Sequence, residues 1–460
     1  MEELICISPV DGREYARRTL TAPAEIDRAV DRAREAQREW ARVPLQERCA
    51  TMLRFLDAME RLNGEIVPEL AWQMGRPVRY QGELRSLRER VETIASIAEA
   101  ALAPITAEAT ENVRRYVTRV PAGLVLVIAP WNYPFLTAAN TIVPALIAGN
   151  AVLLKHATQT LLAGERFAEA FRMAGLPDGL FTNLFLNHEQ AARLLASGLI
   201  DHATFTGSVE GGRAIERASA GSFTTLTLEL GGKDPAYVRE DADLAGAVES
   251  LVDGSFYNSG QSCCAVERIY VNEAVMQPFV ETFIEATRRY RLGNPLDPET
   301  SLGPMSSAKA AGQVRRHVEE ALAAGAQTHI ERQLFPADVP GSPYLMPQVL
   351  TGVDHSMAVM REESFGPVVG IMAVNDDLEA VRLMNDSSYG LSASVWTRDI
   401  NAAERLGTQI AAGTVFMNRC DYLDPLLAWT GVKDSGRGAS LGRYGFESVT
   451  RPKSFHLRSA

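Results

Sequence analysis

The chain has 460 residues, 46% hydrophobic and 22% charged, which fits a soluble globular protein of two or three domains. Its formal net charge of −11 argues against nucleic acid or an anionic membrane as the main partner. The cysteines Cys6, Cys49, Cys263, Cys264 and Cys420 are odd in number and lack metal-type spacing, so a reducing cytoplasm is the expected compartment. The N-terminus lacks the basic start and apolar core of a signal peptide, and the longest apolar run, near 122–130, is too short for membrane insertion. Lysine is confined to Lys155, Lys233, Lys309, Lys433 and Lys453 against a background of arginine.

Helical periodicity opens at Pro23, with Ile26, Ala29, Val30, Ala33 and Trp40 on one face through residue 40. Further helices are expected over 45–62, 65–74 (closed by Gly75) and 81–102. The rhythm then changes. Leu124–Ala129 is a short apolar run between Gly123 and Pro130, as expected of a strand buried on both faces. A helix to Ile147, a Gly149-Asn150 turn and a strand Ala151–Lys155 follow. The alternation continues with a helix over 160–173, a strand Phe181–Leu186, a helix over 188–197, a strand His202–Thr206, a glycine-rich helix start at 207–212 and a strand Thr224–Leu230. Such alternation predicts a parallel sheet wrapped by helices through right-handed crossovers. A second α/β unit spans about 231–430, with strands near 268–272, 368–374, 392–397 and 414–417 and a proline-rich surface loop at 331–345.

Several short motifs carry chemistry. Cys263 follows Ser259-Gly-Gln-Ser, a turn whose backbone can approach a ligand and offer N–H groups to an oxyanion. Taken alone it reads equally well as a small buried hydrophobe. Glu229 ends a strand before Gly231-Gly232-Lys233, placed to activate water beside a thiol nucleophile. Phe205-Thr-Gly207-Ser208-Val-Glu-Gly-Gly212 puts a helix N-terminus where phosphate binds, although an ordinary glycine turn has the same look. Lys155 ends a buried strand at the edge where open α/β sheets bind ligands; a snorkelling lysine is the plainer account. Asn132, in Pro130-Trp-Asn-Tyr-Pro134, can donate to an oxyanion or simply make a turn. Glu363 and Phe365 could hold a ribose or form a polar turn over a core phenylalanine.

In this order and at these distances, Trp131-Asn132-x-Pro134, Lys155, Phe205-Thr-Gly-Ser-x-x-x-Gly212, Leu228-Glu-Leu-Gly-Gly-Lys233, Gly260-Gln-x-Cys263 and Glu363-x-Phe-Gly-Pro367 resemble the NAD(P)-dependent aldehyde dehydrogenase superfamily over the whole chain. The resemblance implies an α/β fold with a Rossmann-type NAD(P)-binding domain (1–102 and 121–230), a catalytic domain (231–430) and a small β oligomerisation arm (103–120 and 431–460). In such an arm, Arg114–Val120 alternates as an interface strand would. It implies Cys263 as nucleophile, Asn132 with the Cys263 amide as oxyanion hole, and Glu229 as the base that hydrolyses a thioester. Relatives that pass the acyl group to coenzyme A typically lack this glutamate.

For NAD or NADP it implies Lys155 at the adenosine ribose, Gly207, Ser208 and Gly212 at the pyrophosphate, Trp131 and Leu230 along the cleft, and Glu363 with Phe365 at the nicotinamide ribose. Two departures bear on the adenosine end. Thr158 stands where a ribose-binding glutamate or a serine is common, which leaves NAD against NADP open. Asn187-His188-Glu189 replaces a glycine-rich turn. Tyr133, Thr137, Asn140, Tyr257, Ser262, Tyr422 and Trp429 are the expected substrate pocket, with no evident cationic anchor. An apolar aldehyde of medium or longer chain is therefore expected, with a semialdehyde dehydrogenase, a coenzyme A-acylating enzyme or a non-catalytic structural relative as the alternatives. Cys264 is a pocket filler or a redox partner of Cys263. The resemblance also implies a homodimer or homotetramer.

Overall fold

A computed structural model describes residues 2–108 and 112–459. Residues 109–111 of the expected arm lie outside that range. Among the described residues no helix is long and apolar enough to cross a membrane.

Three sheets matter for the site. The first has six strands in the order Gly436–Arg437, Thr225–Glu229, His202–Thr206, Leu124–Ile128, Ala151–Lys155 and Phe181–Asn183, all parallel except the first. Its central strands are buried along their whole length, as βαβ packing on both faces demands. The second sheet has seven strands, centred on Val368–Val374, Val266–Asn272 and Asp234–Val238. The third pairs Thr450–Arg458, Val113–Pro121 and Ile105–Thr106 antiparallel.

The carboxyl edge of the first sheet faces the amino edge of the second. Glu229 ends the strand Thr225–Glu229, and the strand Asp234–Val238 begins five residues later. Cys263 precedes the strand Val266–Asn272, and Glu363–Phe365 precedes Val368–Val374. The ligand-binding edge of one sheet thus meets the loops that enter the other.

The structure differs from the sequence expectations in several places. One 30-residue helix, Leu45–Met74, replaces the two expected, running through Pro68. Packing of Phe55, Leu62, Ile66 and Leu70 into the core carries the helix through Asn63-Gly64, where the expected helices part, and past the hydrogen bond that Pro68 cannot donate. The strand expected over 181–186 stops at Asn183. The strand Asp234–Val238 was not foreseen, because two glycines immediately before it read as loop. Residues 431–449, expected in the arm, join the first sheet through Gly436–Arg437 and pack the helix Gly442–Ser448 against the helices Leu84–Leu102 and Leu136–Ala148.

Candidate active site

Two cavities meet at Cys263, Glu229 and Thr206, which line both. One is a cleft of about 590 Å³ above the first sheet, and the other a pocket of about 230 Å³ reaching the helix Leu84–Leu102.

Cys263 is partly exposed and follows a turn in which Asn258 and Ser259 hold φ of 53° and 58°. That left-handed turn is locked rather than preferred. The Gln261 carboxamide donates to the Asn258 carbonyl at 3.0 Å and accepts the Ser306 N–H at 2.8 Å. Gly232 runs directly against this loop, since a Cβ there would overlap the Cys263 carbonyl oxygen, and one on Gly231 would overlap the Glu363 carboxylate. This is why two glycines follow the Glu229-Leu230 pair.

Asn132 lies on the cleft wall and donates one side-chain N–H to the Gln261 carbonyl at 3.1 Å. Its backbone is held by a residue that sequence reading passed over. Arg76 donates to the Asn132 carbonyl at 2.6 Å and to Asn258 Oδ1 at 3.3 Å, and pairs with Glu83 at 2.6 Å. Its guanidinium lies over the Tyr133 ring at 4.7 Å. Glu83 in turn accepts the N–H groups of Phe135 and Leu136 at 3.1 and 2.8 Å, fixing the start of the helix Leu136–Ala148. The buried pair therefore orients the Asn132 loop from behind.

Glu229 is 7% exposed. Its carboxylate accepts hydrogen bonds from Ser440 Oγ and from Thr206 Oγ1, the latter at 3.2 Å. Burial pushes its pKa above the usual glutamate range, against the pull of those two bonds and of the Arg90 charge.

Arg90 corrects the expectation of a pocket without a cation. It lines the pocket, is 6% exposed, and donates to Asn140 Oδ1 at 2.7 Å and to the Leu136 carbonyl at 3.3 Å. Its Nε and the Asn140 Nδ2 have no partner. Among the described residues Arg76 and Arg90 are the cations on this wall, and only Arg76 is paired with a carboxylate. Asn140 sits behind Arg90 rather than on the wall.

Tyr133, Thr137, Tyr257, Ser262, Tyr422 and Trp429 do line the pocket. Arg419, the cation nearest the pocket in sequence, stacks on the Tyr422 ring at 3.3 Å instead. Asp421 accepts from Ser262 Oγ at 2.7 Å and from Cys264 Sγ at 3.0 Å, which clasps the residues either side of the Cys263 thiol. Burial raises the pKa of Asp421, and burial with neighbouring carboxylates brings Asp253 to about 6. The hydrogen bond to Cys263, burial and the Asp421 charge raise Cys264 well above its ordinary value.

The cleft carries Trp131, Lys155, Gly207, Ser208, Leu230, Glu363 and Phe365. Ser208 caps the helix Val209–Ser219, accepting the Gly211 N–H at 3.1 Å. A Cβ on Gly207 or Gly211 would meet the Phe205 ring at 2.6 Å, so the ring packs flush on this turn. The Gly207 N–H is taken by the Glu229 carbonyl at 3.0 Å, which leaves the start of the helix Val209–Ser219 as the end that favours an anion. Two expected residues lie elsewhere. Gly212 packs beneath Leu230, and Thr158 opens a short turn behind the wall, where Ala157 takes its place. Burial pulls Lys155 below the usual lysine range. The far end, which the sequence left unsettled, is built by His188, Ala191 and Ala192 facing Ala214, Ile215 and Ala218. Asn187 caps that helix by accepting the Gln190 N–H at 2.9 Å. Glu363 accepts the Gly232 N–H at 3.0 Å, and burial with the nearby Glu267 charge pushes its pKa to about 8. Phe365 packs edge-on to Trp131 at 5.7 Å. A long apolar cleft with the N-terminus of the helix Val209–Ser219 part-way along fits a dinucleotide.

The aldehyde dehydrogenase family model matches residues 2–455. The chain belongs to the aldehyde dehydrogenase family. It is 32% identical over 447 residues to the NAD(P)+ succinate semialdehyde dehydrogenase of Escherichia coli K12, covering 96% of this chain and 95% of that one. It is likewise 32% identical over 454 residues to betaine aldehyde dehydrogenase 2 of Rhizobium meliloti, covering 98% and 93%. The crystal structure of an aldehyde dehydrogenase from Brucella melitensis biovar abortus 2308 superposes with a TM-score of 0.95 at 28% identity, covering 100% and 94%. The protein is accordingly an NAD(P)-dependent oxidoreductase that oxidises aldehydes.

Proposed function

We propose that the substrate is a small aldehyde carrying a carboxylate at its far end, oxidised to the acid at Cys263. The observation that carries this reading is Arg90, a buried guanidinium without a carboxylate partner on the wall of a pocket of about 230 Å³ shared with Cys263 and Glu229. An unpaired buried cation favours an anionic ligand. The named relative that acts on succinate semialdehyde supports the same class. A longer apolar chain would leave the buried Arg90 charge without an anionic partner.

In this reading the Cys263 thiolate attacks the aldehyde carbon, and the second Asn132 N–H and the Cys263 amide hold the oxyanion. NAD or NADP, when bound, accepts the hydride. The oxyanion re-forms the carbonyl as the hydride leaves the same carbon, which leaves a thioester on Cys263. Glu229, steadied by Ser440 and Thr206, takes a proton from water as that water attacks the thioester carbon. The acid departs and the thiolate returns. A base at the junction of the two cavities favours hydrolysis over acyl transfer to coenzyme A. Lys155, the helix start at Gly207–Ser208, Glu363 and Phe365 are the residues that would hold the dinucleotide, against the NAD(P)-binding domain of 1–102 and 121–230. The catalytic unit is 231–430, the three-stranded arm would carry a homodimer or homotetramer contact, and the compartment is the cytoplasm.

The test is initial rates with succinate semialdehyde, butanal, decanal and betaine aldehyde, with NAD and NADP separately. The semialdehyde should show the highest kcat/KM. A preference for decanal or for the cationic aldehyde would remove the role of Arg90. Turnover only on addition of coenzyme A would remove that of Glu229.

A further inference from the structure

We infer that Glu267, through its buried ion pair with Lys233, is a positioning residue that holds the Glu363–Phe365 loop in its cofactor-binding shape, an inference that rests on reading that loop as the ribose holder. Lys233 is enclosed completely and Glu267 to within 3%. A pair this deep gives up its hydration on both sides, so stability alone is a poor reason for it.

The other bonds of the carboxylate say what it does. Glu267 Oε2 accepts the Ser364 N–H and Oε1 accepts the Phe365 N–H, each at 2.9 Å. Lys233 Nζ donates to the same carboxylate and to Ser364 Oγ at 3.2 Å. Ser364 Oγ also meets His317 Nδ1 at 3.1 Å, and burial keeps that histidine below its ordinary pKa. Phe365 has φ of 50°, a left-handed backbone that a phenylalanine does not choose by itself. Two charge-assisted bonds from consecutive N–H groups to one carboxylate supply what local preference does not.

From the other side, Glu363 accepts the Gly232 N–H, and Lys233 is the next residue in the chain. The pair therefore fastens the segment carrying Glu229 to the segment carrying Phe365. Without Glu267 the loop can relax, and cofactor must reorder it on binding, which lowers affinity by the fraction of protein already in the competent shape. Cys263, Asn132 and Glu229 have separate supports in Asp421, Arg76, Ser440 and Thr206, none of which touches Glu267.

The experiment pairs calorimetric titration of NAD and NADP with hydrolysis of p-nitrophenyl acetate, which needs the thiol and its base but no cofactor. Glu267→Ala should weaken cofactor binding about tenfold or more, while ester hydrolysis stays within roughly twofold of wild type. A stranded Lys233 threatens folding, so Lys233→Met/Glu267→Ala is the second variant, with the same loss of affinity expected. Glu267→Gln, which keeps one acceptor oxygen, should recover part of it. Folded variants with unchanged cofactor affinity, or with ester hydrolysis falling in parallel, overturn the inference. Phe365→Ala separates the two levels. If it weakens cofactor binding and the Glu267 variants do not, only the positioning role falls. If it too has no effect, the reading of the loop falls with it.

Discussion

Replacing Arg90 by methionine keeps the apolar stem while deleting the charge on the pocket wall. A hydrogen bond between a guanidinium and a carboxylate contributes about 1.5–3 kcal/mol. The kcat/KM for succinate semialdehyde should therefore fall roughly 10- to 150-fold, while that for butanal stays within about threefold. The substitution also strips the Leu136 carbonyl and Asn140 Oδ1 of their donor, a stability cost of about 1–3 kcal/mol that a thermal melt would register. Selectivity is insulated from that cost, because both aldehydes are assayed on the same folded enzyme. Arg90→Lys should keep part of the preference through its charge, losing the fork geometry. The substitution reaches the base as well. Arg90 holds the Glu229 pKa down against burial, so in Arg90→Met the acid limb of kcat should move to higher pH. Equal losses for semialdehyde and butanal would refute the assignment of Arg90 as the carboxylate's partner.

Glu229→Gln should still form the thioester but release it slowly. Stopped-flow would then show one reduced cofactor per active site followed by a steady rate about 10²- to 10⁴-fold lower, and a wild-type steady rate would remove the base role. Asn132→Ala should lower kcat about 10²- to 10³-fold, and Arg76→Met should reproduce much of that loss without touching substrate, since Arg76 holds the Asn132 carbonyl. Intact kcat in a folded Arg76→Met protein would deny it that role. Glu363 predicts a pH dependence of stability. Its folded pKa of about 8 lies above the ordinary glutamate value, so the folded state holds the proton longer and stability declines as pH rises from about 4.5 towards 8. Thermal melts of the cofactor-free protein should show that decline, and Glu363→Gln should flatten it; an unchanged slope would mean the carboxyl is ionised throughout.

The sequence alone determined what depends on backbone neighbours. Alternating apolar runs and glycine turns set out the first sheet, and Lys155 and Glu229 could be placed at strand ends because a strand's last residue faces the ligand edge whatever packs around it. Thr158 and Gly212 show the limit of that reasoning, since motif spacing places a residue near a cleft without saying which side of its own turn faces it. The helix Leu45–Met74 and the strand Asp234–Val238 escaped because packing overrode the Asn63-Gly64 pair in one case and two glycines in the other. Arg90 left a trace that could have been read: it falls among Leu87, Val91 and Ile94 on the buried face of its helix, where a charge is out of place. Arg76–Glu83, Ser440 on Glu229 and Lys233–Glu267 left almost none. Their partners come from loops as much as 211 residues apart in the chain, and only the tertiary fold decides which buried charges meet. Burial is what gives those meetings their force, because a charge withdrawn from water must find its partner in the fold.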